Sequence, residues 1–126
     1  MPVGHKFLIL GAANAAVAVI LGAFAAHGLR GKLGERMLEV FHTGVEYHFY
    51  HALGLILVGV VVLTLGPLPW LRAAGWVMLA GILIFAGTLY GLALGGPGWL
   101  GAITPLGGTA FILSWILFAL AVWRAP

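Results

Sequence analysis

The sequence predicts an all-α integral membrane protein with four transmembrane helices and a short interfacial helix before the second. Composition and run length both point there. Of 126 residues, 63% are hydrophobic and 7% are charged, against roughly a quarter charged in an ordinary soluble domain. The mean hydropathy is +1.13, and so few charges cannot cover a water-facing globule without leaving large apolar patches. The apolar residues also gather into four runs close to the ~20 residues that cross a hydrocarbon core as helix. A disordered chain is excluded, because disorder needs low hydrophobicity and high charge. A β-barrel is excluded by the absence of strict apolar/polar alternation.

The predicted spans are 7–26, 45–65, 70–94 and 105–123, within one domain covering 1–126. The first run is interrupted only by Asn14. Its flanking His5 and Lys6 and its Ala23-Phe24-Ala25 resemble a cleavable leader, but the apolar stretch is too long for one, so a retained helix is expected. Gly66-Pro67-Leu68-Pro69 stops the second span, since Gly accepts left-handed geometry and Pro cannot continue the ladder. Spans two and three should therefore form a tight antiparallel hairpin. Gly95-Gly96-Pro97-Gly98 stops the third. Thr104-Pro105 reads as N-cap and first helical residue of the fourth, leaving residues 99–103 at the interface. Between 27 and 34 lie three Gly and two basic residues. Beyond them Met37, Leu38, Phe41 and Val45 share one helical face, as an interfacial helix requires, with Gly44 as the expected bend into span two.

The net charge is +3, and the charges cluster at span ends, where basic side chains meet headgroups. They form no basic stripe with aromatics between, so nucleic acid is not an expected partner. Membrane lipid is. Four spans put both termini on one side. Lys6, Arg72 and Arg124 lie with the termini and Arg30, Lys32 and Arg36 lie opposite, so counting Lys and Arg gives no orientation. Lipid tails do not drive helices together, so small residues must let backbones approach. Twenty Gly fit that need, and Gly22 with the line Gly87, Gly91, Gly95 are the expected helix-packing positions.

Polar chemistry is concentrated in one place. His27 and the run Glu39 to His51 carry nearly all of it. Two readings of His27, Glu46, Tyr47, His48, Tyr50 and His51 stay open. In one, His27, Tyr47 and His51 build a membrane-embedded metal, haem or quinol site, because imidazole is a common ligand and polar groups at membrane depth are costly. In the other, they bond to one another and to loop carbonyls near one membrane surface, with His27 meeting His51. The chain has no Cys and no Asp. No spacing matches a known metal motif, a serine nucleophile elbow or a phosphate loop. No catalytic residue and no cofactor is assigned.

Several segments resemble a known family. Leu21-Gly22-Ala23-Phe24-Ala25-Ala26-His27-Gly28-Leu29, Phe41 to Leu53, Phe85-Ala86-Gly87-Thr88-Leu89-Tyr90 and Gly101-Ala102-Ile103-Thr104-Pro105-Leu106-Gly107-Gly108 occur in this order. They are similar to the LGAFGAHGL, FxTxxxYQxYHAL, FSGSLY and GxITPLGG segments of the small bacterial inner-membrane proteins typified by YgdD and YwdK, a domain of unknown function. His48 departs from the pattern, which has Gln there, and a metal ligand need not survive that exchange. The resemblance implies four helices and an inner membrane, and no activity. The expected role is that of a packing or assembly subunit, in a homo-oligomer or a larger membrane complex.

Overall fold

Helix α1 (Val3–Phe24) is apolar on every side, as a helix facing lipid should be. The computed structural model describes residues 1–126. A single π-turn, Ala25–Leu29, prolongs α1, and the chain then reverses through Gly31 (φ 85°) into α2 (Glu35–Leu65). Gly66, at φ 93°, ends α2 and turns it into α3 (Pro69–Gly81). A second π-turn, Ile82–Ala86, joins α3 to α4 (Gly87–Ala93), so α3 and α4 make one span of 25 residues. Gly95, at φ 98°, closes that span before α5 (Leu100–Trp123). Four helices are thus long and apolar enough to cross a membrane.

The hairpins fold so that α2 is central. It buries ten residues, where α1 and α5 bury four each. Helix α1 lies along α2, α5 lies along α3 and the second π-turn, and α2 packs on α3 and α4. The main core joins Phe7, Leu55, Val58, Leu71, Met78 and Phe111, and a smaller one near the opposite end joins Ala25, Leu29, Phe41 and Ala93. At the terminal end the Arg124 guanidinium sits 4.8 Å from the Trp70 ring centroid, linking α5 to the start of α3.

Three local expectations are corrected. The stretch before the second span is not a separate interfacial helix: α2 runs unbroken from Glu35, and Gly44 does not bend it. Gly44 is buried because the Tyr90 ring lies over it; a Cβ there would come within 2.9 Å of Tyr90 Cε1. The fourth helix begins at Leu100, before Thr104-Pro105. Its first turn is wound on short bonds from Leu100, Gly101 and Ala102 N–H to the Pro97, Gly98 and Trp99 carbonyls. Pro105 therefore interrupts a helix already under way, and the Thr104 hydroxyl donates back to the Leu100 carbonyl instead of capping.

The packing glycines are in part different ones. Gly22 does approach α2: a Cβ there would lie 3.3 Å from Val45 Cγ1. Within the chain, the Gly87, Gly91, Gly95 line touches a neighbouring span only where Gly91 meets Leu100 at the start of α5. Gly87 faces open space, Gly91 meets only Leu100, and Gly95 serves the turn. The close approach is between α1 and α2, where a Cβ on Gly11 would come within 2.7 Å of the Ala52 carbonyl oxygen and one on Gly59 within 2.9 Å of the Gly4 carbonyl oxygen. Regular spacing marks a face that could pack. Which face meets a helix depends on the rotation of the span, and here the second π-turn changes it.

Candidate functional site

His48 and His51 stand three residues apart on α2 and each is 5% exposed. They point into different helix contacts. His48 reaches α1 and α4: its Nε2 lies 2.9 Å from Asn14 Oδ1 and its Nδ1 lies 2.8 Å from Tyr90 Oη. The proton positions follow from the partners. Asn14 Nδ2 donates to the Leu10 carbonyl at 2.8 Å, which turns its Oδ1 toward His48. His48 Nε2 must then donate, and Nδ1 accepts from the Tyr90 hydroxyl. One neutral imidazole thereby ties three spans together, with its tautomer fixed.

His51 reaches α5. Its Nδ1 donates to the Tyr47 carbonyl at 2.7 Å, because a carbonyl can only accept, and its Nε2 accepts from Trp115 Nε1 at 3.0 Å. The imidazole also stacks on Phe111, with centroids 3.5 Å apart and planes 8° from parallel. A third clasp joins α4 to α5 through the Thr88 and Thr104 hydroxyls, 2.6 Å apart. No buried side-chain nitrogen or oxygen lacks a partner. In a bilayer such interhelical bonds are worth about 0.6 kcal/mol on average and up to about 1.7.

The second π-turn positions half of this site. One extra residue per turn rotates everything beyond it by about 100°, and this brings Tyr90 over Gly44 and to His48. Gly107 of α5 lies against the Phe85 backbone within that turn, an approach that only a missing side chain allows.

The sequence-predicted site residues converge only in part: the Tyr47 ring lies 5.7 Å from that of Tyr50 and 6.3 Å from that of His51, as expected, but His27 stands apart. His27 is exposed in the first π-turn, thirteen residues beyond Asn14, or ~20 Å along a helix. It cannot meet His51, which lies level with Asn14 and the middle of the bundle. Both nitrogens of His51 are already engaged, and no three His, Asp or Glu side chains gather as a ligand set. The geometry therefore gives the metal and haem reading no ligand set built on His27, Tyr47 and His51. Tyr47 and Tyr50 are 40% and 53% exposed, and Glu46 is exposed on the outer face of α2. A groove of about 570 Å³ runs between α2, the second π-turn and α5, beside Tyr47, His51, Phe85, Pro105 and Trp115.

Sequence reasoning missed the partners: Asn14, Tyr90, Trp115 and the Thr88–Thr104 pair. One signal was present. A lone Asn in an apolar span demands a hydrogen-bonding neighbour, and α2 held the only dense supply.

Known proteins similar to this chain are named as membrane proteins. The family described as Protein of unknown function (DUF423) matches residues 21–108. The chain is 55% identical to the UPF0382 membrane protein YwdK of Bacillus subtilis, over 91% of this chain and 94% of that protein. It is 45% identical to the UPF0382 membrane protein SERP0230 of Staphylococcus epidermidis and 44% to SAB0533 of Staphylococcus aureus, each over 94% of this chain and 95% of the relative. No solved structure matches.

Proposed function

This chain belongs to the DUF423 family of small membrane proteins, and from that premise we propose that it is an assembly subunit of the bacterial inner membrane, held by lipid and built into a homo-oligomer or a larger membrane complex. One observation carries the reading. The buried polar side chains are satisfied within the chain, whereas the outer face of α2 presents Glu39, His42, Glu46 and Tyr50 to its surroundings. Interior polarity that is used up in clasping helices serves stability. Polarity left on an outer face within an apolar span calls for another molecule.

The test is the mass of the particle taken directly from membranes in polymer-bounded lipid discs. A particle of two or more 13.2 kDa chains, or of this chain with stoichiometric partners, supports the reading. A lone chain in discs and in mild detergent rejects it.

A second reading keeps part of the ligand alternative. The 570 Å³ groove is walled by aromatic rings, with Tyr47, His51 and Thr109 among its lining, a combination suited to a flat lipid-soluble ring such as a quinol. Solvent extraction of the purified protein followed by mass spectrometry would reveal a stoichiometric quinol if this reading holds.

A further inference from the structure

The inference rests on the assembly reading and names the partner. Along α2, Glu39, His42, Glu46, Tyr50, Leu53 and Leu57 recur every three or four residues, and all six are exposed. This spacing makes a seam along which two helices can cross at about +20°. The seam is polar toward the loop end and apolar further in. Glu46 sits beside Ala18, Val19 and Gly22 of α1, four to eight residues inside the end of the apolar run 7–26, or ~6–12 Å. No side-chain hydrogen bond of the chain involves Glu46, His42 or Tyr50, and the neighbouring α1 residues offer none. A carboxylate at that depth needs a donor supplied by something else.

We propose that the seam is the contact with a second copy of this chain, the two α2 helices lying parallel about a two-fold axis along the membrane normal. In this contact the Glu46 carboxylate of each copy accepts a hydrogen bond from the partner's His42. The seam carries its own complement, acceptors in Glu39 and Glu46 and donors in His42 and Tyr50. A second copy inserted in the same direction puts its His42 one helical turn, ~6 Å, in depth from this chain's Glu46, a span that the two side chains can bridge, and a two-fold axis makes each pairing twice. Side chains on a helix lean toward its N-terminus, so Glu46 leans toward the turn that bears His42. Leu53 and Leu57 continue the contact into the bilayer. The groove of about 280 Å³ between α1 and α2, floored by Ala18 and Gly22, gives the partner's side chains room beside the seam.

The chain has no Cys, so single cysteines report neighbours directly. L53C and L57C, oxidised in native membranes with copper phenanthroline, should give at least five times more disulfide-linked dimer than I112C and I116C. These controls are exposed on α5 at similar depth. Adding E46L to L53C should cut the yield at least fivefold, while E46Q, which keeps an acceptor, should retain most of it. Glu46 lies outside the core, so both variants should keep the melting temperature of the parent. Equal cross-linking on both helices, or a yield indifferent to E46L, overturns the proposal. Absence of α2 cross-links from a particle larger than one chain overturns the second copy and leaves the assembly reading standing. Absence of cross-links with a single-chain particle overturns both.

Discussion

Trp115 donates its indole N–H to His51 Nε2 across the contact between α5 and α2, while Phe111, one turn earlier on α5, stacks on the same imidazole. A single side chain of α2 is thus held through its edge and its face by one helix. The bond fixes the neutral tautomer with the proton on Nδ1, and the stack excludes competitors for the ring. This pairing serves α5 as His48 serves α1 and α4. The two histidines therefore act as clasps between spans.

Replacing Trp115 with Phe should keep most of the packing and remove the donor. His51 Nε2 would then lack a partner, and stability in detergent should fall by about 0.6–1.7 kcal/mol, the range of such bonds in membrane proteins. Nitrogen NMR of labelled histidine should show the Nε2 resonance of His51 move in W115F, with Nδ1 still protonated.

His48→Gln should be tolerated. Its amide can donate to Asn14 Oδ1 and accept from Tyr90 Oη, which reproduces both bonds. His48→Leu leaves both partners unpaired and should lower the thermal midpoint by several degrees, reflecting about 1–3 kcal/mol for the stranded groups. Equal melting of the two variants would refute the clasp.

The glycines separate by position. Gly11→Val should cost about 1–3 kcal/mol by overpacking, because a side chain there meets Ile56 Cγ1 at 2.6 Å and the Ala52 carbonyl at 2.7 Å. Gly87→Ala meets nothing within 4 Å, so its melting should be unchanged or slightly raised, as helical Gly to Ala usually is. Thermal unfolding of both in one detergent decides the matter.

The helix order fixes the termini on one side. Reporter fusions at Met1 and Pro126 should share a compartment, and a reporter inserted at Gly31 should lie in the other. Opposite compartments for the two termini would remove one span from the bundle.

What the sequence determined by itself was the architecture. Four apolar runs of spanning length, stopped by Gly66-Pro67 and by Gly95-Gly96-Pro97, leave a chain in lipid few choices, because each backbone polar group must be satisfied within its own segment. Segment by segment that logic is local, and local rules suffice for it. Helix ends were less legible: the start of α5 before Pro105 and the unbroken passage of α2 through Gly44 depend on neighbours that no window of sequence contains. The site was decided by tertiary structure alone. Asn14, His48 and Tyr90 lie 34 and 42 residues apart in pairs, and His51 finds Trp115 at a separation of 64. A π-turn in the third span sets the rotation that makes Tyr90 face His48 and leaves Gly87 over open space. Residue type states that a polar group in an apolar span needs a partner; the rotation and depth of each helix, fixed only by the packing of all four, choose which partner it meets.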